Sequence, residues 1–245
     1  MVKPLTYGRM GNFLFQVACA IGYATKHGLD FTVPNETTSK VWNPLYLQHL
    51  VNPEWSDLYE QIRITESGHA YQELPFQEDW RNKNIILDGY WQSEKYFKEY
   101  RWQVLAFFGF PYERKPNTVS VHVRRGDYLE LPEKHPPMTI EWIASAMMLF
   151  PGKKFLFHSD DLQWCRDNFS HINDCYFSEG TNEVEDLISM SCCVHNICSA
   201  STMSWWGMWL NRNQQKTVVF PKQWFVPGYC DLNTDDIIPE WCIKY

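Results

Sequence analysis

No stretch of this 245-residue chain approaches the roughly 18 consecutive apolar residues that a membrane-spanning helix needs, and its first residues lack the basic-then-apolar order of a signal peptide. The sequence as written therefore reads as soluble and cytoplasmic, with no transmembrane segment. A basic excess is also missing: the net charge of −7 argues against a nucleic-acid partner, so any bound anion should be small and held locally. Cys-x-x-Cys and the Cys/His spacings of zinc sites are absent among Cys19, Cys165, Cys175, Cys192, Cys193, Cys198, Cys230 and Cys242. No metal site is expected, and the thiols read as core in a reducing compartment. The sequons at Asn35 and Asn168 carry little weight without a secretory route. The dinucleotide fingerprint Gly-x-Gly-x-x-Gly is missing too. Only Gly8-Arg-Met-Gly11 stands near the N-terminus, which poorly supports NAD and by itself reads as a tight turn.

With 44% hydrophobic and 16% aromatic residues, the chain can form one large domain or two small ones, and disorder is not expected. Leu14, Val17, Ala18 and Ile21 share a helical face, so a helix should run from about Asn12 to a cap at Gly28, with a strand at Phe31–Val33 completing a β-α-β unit. Residues 34–80 show no clear period. Ile85–Leu87 reads as a strand that enters Gly89 and an aromatic turn, and the proline-bearing stretch Phe108–Asn117 reads as a linker. The second half is regular. Strands are expected at Val119–Val123, Lys154–His158, Cys175–Phe177, His195–Cys198 and Thr217–Phe220. Between them come helices opened by Thr139, Asn182 and the polar turn Ser199–Ser204. Alternating strands and helices imply a parallel sheet with right-handed crossovers.

The chain is organised around Thr118–Tyr128, an alternating apolar strand that ends in His122, Arg124, Arg125 and Asp127. Parallel sheets bind ligands at such ends, and paired guanidiniums suit phosphate. An ion-paired loop is the competing reading. Parallel strands would bring Ser159, Asp160 and Asp161, and the turn Ser199–Ser204 with the helix start Ser201, Thr202, Ser204, to the same edge. A phosphate between Arg124 and that helix start makes a diphosphate site. Asp160 and Asp161 read equally as acceptors for a purine or ribose and as an ordinary helix cap.

Gly8-Arg-Met-Gly-Asn12 with Phe15-Gln16, Gly89-Tyr-Trp-Gln-Ser-Glu-Lys-Tyr-Phe97, His122-Val-Arg-Arg-Gly-Asp127, Ser159-Asp-Asp161 and Ser201-Thr-Met-Ser-Trp-Trp-Gly207 stand in the order of a known family. Together they resemble the α-1,2-fucosyltransferases of glycosyltransferase family 11. Two departures are visible: Phe13 replaces the Gln usual after Gly-Asn, and the chain is short for two Rossmann-like domains.

The resemblance implies an α/β, GT-B-like fold of two Rossmann-like domains with a compressed first domain and the donor cleft between them. Residues 1–114 would be the acceptor side and 115–245 the GDP-sugar side. It also implies a GDP-β-L-fucose donor, a glycan acceptor, inversion and no metal or other cofactor. The absence of Asp-x-Asp, the cation-carrying motif of metal-dependent glycosyltransferases, accords with the last point. By family position Arg124 meets the β-phosphate, Ser201, Thr202 and Ser204 donate from the other side, and His122 supports the nucleotide. Gly11 and Asn12 approach the diphosphate or the reacting sugar. Arg125 either touches ligand or braces the loop against Asp127, and Asp127 and Glu94 are the candidate general bases. Another GDP-sugar, or a non-catalytic binding module of the same fold, are the alternatives.

Overall fold

Two parallel sheets, of three and six strands, are each wrapped by their own helices. In this computed structural model the described residues are 1–34, 55–180, 182–229 and 233–245. Contacts divide the chain into Met1–Phe110 with Leu232–Pro239, and Pro111–Asp231 with Glu240–Tyr245. The change of unit thus falls inside the expected linker, and a short segment near the C-terminus groups with the first unit.

In the first unit, β1 (Val2–Pro4) leads into α1 (Met10–His27). The helix buries Leu14, Val17, Ala18 and Ile21 as their spacing requires. It stops at Gly28, whose φ of 62° is the left-handed conformation of a C-terminal cap. The Thr25 carbonyl accepts from the Gly28 N–H and the Ala24 carbonyl from the Leu29 N–H. The expected strand at Phe31–Val33 is corrected to one parallel bridge, Val2 with Phe31. Pro34 follows directly and has no N–H to extend the ladder. β2 (Gln61–Thr65) lies in the stretch read as without period: Gln61-Ile-Arg-Ile-Thr65 does alternate, but for only five residues and with Ile64 alone fully buried on this edge strand. β3 (Asn84–Asp88) is buried through Leu87, and α2 (Arg101–Phe108) closes the unit. The order is β1-β3-β2, with Phe31 on the other side of β1. The chain changes direction across the sheet at β1/β3, and the C-terminal ends of those strands are where such sheets bind ligands.

The second unit contains β4 (Lys115–Val123), α3 (Gly126–Glu130), α4 (Ile140–Met147), β5 (Lys154–Ser159), α5 (Leu162–Phe169) and β6 (Cys175–Phe177). It continues through α6 (Glu183–Cys192), β7 (Cys193–Ile197), α7 (Thr202–Leu210), β8 (Val218–Phe220) and β9 (Ile243–Lys244). Thr139 and Asn182 cap α4 and α6 through their side-chain oxygens, as expected. The order β6-β5-β4-β7-β8-β9 is parallel throughout and switches direction at β4/β7.

β4 shows why this sheet is buried on both faces. Val119, Val121 and Val123 are fully buried against Ile143, Ala146 and Met147 of α4 and Cys165 and Phe169 of α5. Each such side chain contributes about 1.5–3 kcal/mol of burial. The alternate residues Ser120 and His122 face α6 and α7 in a buried polar layer. Asn196 Nδ2 donates to Ser120 Oγ at 2.7 Å and to the Met190 carbonyl at 3.0 Å, and Asn211 Nδ2 donates to Asn196 Oδ1 at 2.8 Å. Gly207 lets α7 approach α6, since a Cβ there would lie 2.9 Å from Met190 Cβ.

Candidate functional site

The end of β4 delivers two arginines with different surroundings. Arg124 reaches two carboxylates with its two terminal nitrogens: Nη2 donates to Asp127 Oδ1 at 2.6 Å, and Nη1 lies 2.9 Å from Asp160 Oδ2. Asp127 sits one helical turn on, in the first turn of α3. Arg125 donates from Nε to Asp161 Oδ2 at 3.1 Å, and its guanidinium lies 3.9 Å from the centre of the Trp164 ring. The expected brace of Arg125 against Asp127 is therefore corrected: Asp127 pairs with Arg124, and Arg125 is braced by α5.

Asp160 joins the ends of two strands. Besides meeting Arg124, its Oδ1 accepts from the Arg125 backbone N–H at 2.9 Å, and a Cβ on Gly126 would lie 2.5 Å from its Oδ2. Asp161 caps α5, accepting from Trp164 N–H at 3.1 Å, and its own N–H donates to Ser159 Oγ at 2.9 Å. The helix-cap reading of Asp161 is thus the contact seen.

Across β4, the loop from β7 supplies the start of α7. Ser201 is its N-cap and accepts from Met203 N–H at 3.3 Å, and Thr202 is half-buried beside it. Ser204 turns the other way. Its Oγ lies 2.6 Å from His122 Nδ1 and 3.0 Å from Ser199 Oγ, and it accepts from Ser199 N–H at 3.1 Å. Ser199 Oγ also lies 2.8 Å from His122 Nδ1. His122 and Ser204 therefore form a buried knot that fixes the two loops from behind. Burial, and secondarily Arg124, push the His122 pKa down to about 3, so the imidazole is neutral. Tyr128, on α3, donates its hydroxyl to the Ala200 carbonyl at 2.7 Å, tying α3 to the same loop. Burial raises its pKa to about 12.

The C-terminal edge of the first unit has another chemistry. Gly8, at φ 83°, leads into α1, and a Cβ there would lie 2.4 Å from Asn12 Nδ2. Gly11 is buried in the first turn of α1. Gln16 staples this turn, accepting from Tyr7 N–H at 3.2 Å and donating to the Tyr7 carbonyl at 3.3 Å. From β3, Gln92 donates to Asn12 Oδ1 at 2.9 Å. Trp91, fully buried, holds a φ of 55°, an unusual conformation for a bulky residue. Both oxygens of Glu66 hold that bend, accepting from Tyr90 N–H at 2.6 Å and Trp91 N–H at 2.9 Å. Burial raises the Glu66 pKa against the opposing pull of those two bonds. Glu94 begins a short 3-10 turn, Glu94–Tyr96, capped by Ser93.

His122, Arg124, Arg125, Asp127, Ser159, Asp160, Asp161, Ser201, Thr202 and Ser204 thus gather at one edge of the second sheet. Gly11 and Asn12 stand at the corresponding edge of the first. Sequence reasoning did not assign Glu66, Gln92, Tyr128 or Trp164. Gln92 and Tyr128 lay within the motif stretches, whereas Glu66 lay in a stretch without pattern.

Residues 81–243 match Glycosyl transferase family 11. An α-1,2-colitosyltransferase of Escherichia coli is 33% identical over 184 residues, covering 66% of this chain and 62% of that protein. The chain thus spans less than two thirds of that relative. Galactoside α-(1,2)-fucosyltransferase 1 of Alouatta caraya is 25% identical over 285 residues, covering 96% of this chain and 75% of that protein. Among solved structures, POFUT1 in complex with GDP shares the GT-B-like α/β fold, with a TM-score of 0.50 at 12% identity, covering 89% of this chain and 97% of that one. By the match over residues 81–243, the chain belongs to glycosyl transferase family 11.

Proposed function

We propose that the chain transfers L-fucose from GDP-β-L-fucose to a glycan hydroxyl, foremost the 2-OH of a galactose, with inversion and without a metal ion. The observation that carries this reading is that Arg124 follows β4 while the α7 start follows the neighbouring strand β7, on the two sides of the β4/β7 switch point. A diphosphate there would meet guanidinium N–H groups on one side and the positive end of a nine-residue helix on the other. The family, and the α-1,2 transfer named for its relatives, support the same chemistry.

In the proposed step the acceptor oxygen forms a bond to the anomeric carbon while the bond from that carbon to the phosphate oxygen breaks. The electron pair departs with GDP, and the configuration inverts from β to α. Charge builds on the β-phosphate, so oriented donors count more there than in the ground state. Arg124 supplies them from β4, and Ser201 and Thr202 from the α7 start. His122 and Ser204 position both loops through the buried knot. Asp127 or Glu94 takes the acceptor proton, and Asn12 donates to an oxygen of a reacting sugar.

The relative named for colitose transfer gives a second reading, in which another GDP-linked deoxysugar is the donor. The contacts proposed for the diphosphate do not distinguish the sugars. GDP-fucose, GDP-colitose, GDP-mannose and UDP-galactose, each with and without a galactoside and with EDTA throughout, decide the matter by product release. Galactoside-dependent release of GDP from GDP-fucose is expected. Preference for GDP-colitose selects the second reading. Binding without release marks a non-catalytic module, and release only after magnesium or manganese is restored removes the metal-free mechanism.

A further inference from the structure

The loop after β3 is held more firmly than a connection requires. Glu66 takes the N–H groups of both Tyr90 and Trp91. Gly89 leaves no room for a side chain, since a Cβ would lie 2.4 Å from Glu66 Cβ. Trp91 is locked at φ 55° with its indole N–H buried and without a partner among the described residues. An unpaired buried donor and a left-handed bulky residue both cost stability, so such a bend persists only where its surroundings impose it.

Its product is the placement of one side chain. Gln92, only 6% exposed, comes off this bend with Nε2 on Asn12 Oδ1. A carboxamide has one accepting end and one donating end. With its oxygen occupied, Asn12 offers ligand an N–H pair. Gly8 completes the arrangement because only the absence of a Cβ leaves room for Asn12 Nδ2.

We infer that Gln92 is a positioning residue that fixes the Asn12 carboxamide with its N–H pair toward substrate, so that the first unit's β1/β3 edge recognises a ligand oxygen by donation. The ligand class is a sugar hydroxyl or ring oxygen, or a phosphate ester oxygen. The inference rests on the proposed role of Asn12 in transfer. The constants distinguish the sources: an acceptor oxygen moves the acceptor KM with kcat, an oxygen of the donor's sugar moves the donor KM but not the affinity for GDP, and a phosphate oxygen moves both.

The test uses Asn12→Ala, Gln92→Glu, Gln92→Leu and the double variant Asn12→Ala/Gln92→Glu in the full chain. A carboxylate at position 92 can only accept, so it turns the Asn12 amide round and presents oxygen to substrate. Leucine merely releases the amide. Asn12→Ala should lower kcat about tenfold or more, as loss of one oriented donor does. Gln92→Glu should lower it at least as far and Gln92→Leu less. The double variant should be no worse than Asn12→Ala. A purely structural Gln92 would instead rank the variants by melting temperature, with equal effects in both Asn12 backgrounds, and that result overturns the inference.

If Asn12→Ala turns over like wild type, the proposed role of Asn12 falls. If Asn12→Ala is impaired while both Gln92 variants are normal, only the Gln92 inference falls. The orientation is also read without turnover from the side-chain amide signals in a 15N NMR spectrum, assigned by their loss in Asn12→Ala. The Asn12 N–H pair should exchange freely with water in wild type and be protected in Gln92→Glu. Protection already present in wild type means the opposite orientation and overturns the inference.

Discussion

The two sheets end in edges of the same topology and opposite chemistry. At β1/β3 the groups around Asn12 are amides and rings, with Asn12 on Gln92, Gln16 on the Tyr7 backbone and Tyr7 edge-on to Tyr90 at 4.8 Å between centroids, and the one carboxylate in the bend, Glu66, is occupied by backbone N–H groups. At β4/β7 they are ions: two arginines among Asp127, Asp160 and Asp161. Neutral amides suit a neutral sugar, and guanidiniums suit a group that gains negative charge. Yet the second edge is no simple positive funnel, because three carboxylates accompany two guanidiniums. What it offers a phosphate is oriented N–H donors rather than excess charge.

The largest effect should follow from breaking that orientation. Arg124→Lys keeps the charge but replaces the planar fork that spans Asp127 and Asp160 with one ammonium. Losing such a donor costs about 2.7–4 kcal/mol of transition-state stabilisation, or roughly a hundred- to a thousandfold in turnover. The melting temperature should stay near wild type, since lysine keeps a positive charge between Asp127 and Asp160. Turnover above about a tenth of wild type, well outside that range, would move the centre of the mechanism away from Arg124.

A second effect sharpens the contrast by locating what holds the charged edge in place. His122 and His158 face each other across β4 and β5 in the polar layer, where burial, acting first, depresses both pKa values to about 3. His122 is bonded to Ser199 and Ser204. His158 Nε2 lies 2.9 Å from Ser189 Oγ, which also accepts from Lys115 Nζ at 2.8 Å. The unfolded chain protonates these rings near pH 6.5, about three units before the folded protein does. Between those values the unfolded state binds more protons, so stability is fully present above about pH 6.5 and is lost as pH falls toward 3. Each histidine contributes a slope on the order of 1 kcal/mol per pH unit in that window. Urea midpoints at pH 7, 6 and 5 should fall accordingly, and His158→Gln should remove one histidine's share. An unchanged slope in His158→Gln would show that His158 is not held neutral.

Much of this arrangement was legible because it is local. The alternation of Val119, Val121 and Val123, the caps Thr139 and Asn182, and the stop at Gly28 each depend on a few neighbouring residues. From those elements the parallel sheet follows, and with it the gathering of β4, β5 and β7 ends at one edge. What sequence did not resolve is which way a polar side chain turns there. Ser201 and Ser204 are both serines at the start of one helix, but three residues of helical rotation turn Ser204 inward onto His122, while Ser201 caps the helix. The partner of each arginine was hidden for the same reason: Asp127 returns to Arg124 only because α3 makes a turn between them. β2 and Glu66 were missed because Gln61-Ile-Arg-Ile-Thr65 alternates over only five residues, with two apolar positions on an edge strand.

The smallest effect concerns the arginine beside the first. Arg125 is bound into the second unit by Asp161 and by the face of Trp164, and its side chain is 16% exposed. Lysine at that position keeps a charge near Asp161 but gives up the flat stacking of a guanidinium on an indole. The loss should be about 0.5–1 kcal/mol of stability, the size of a partly exposed cation–π contact. Turnover should change by less than about threefold, because under 1 kcal/mol of transition-state energy is at stake. Denaturant midpoints and kcat measured together on Arg125→Lys and Arg124→Lys give opposite balances if one arginine holds the loop and the other holds the ligand. Should Arg125→Lys instead lose turnover as deeply as Arg124→Lys while unfolding like wild type, both guanidiniums reach the phosphate. The carboxylate of Asp161 would then be a resting partner that substrate displaces, and the division of labour between neighbouring arginines would have to be given up.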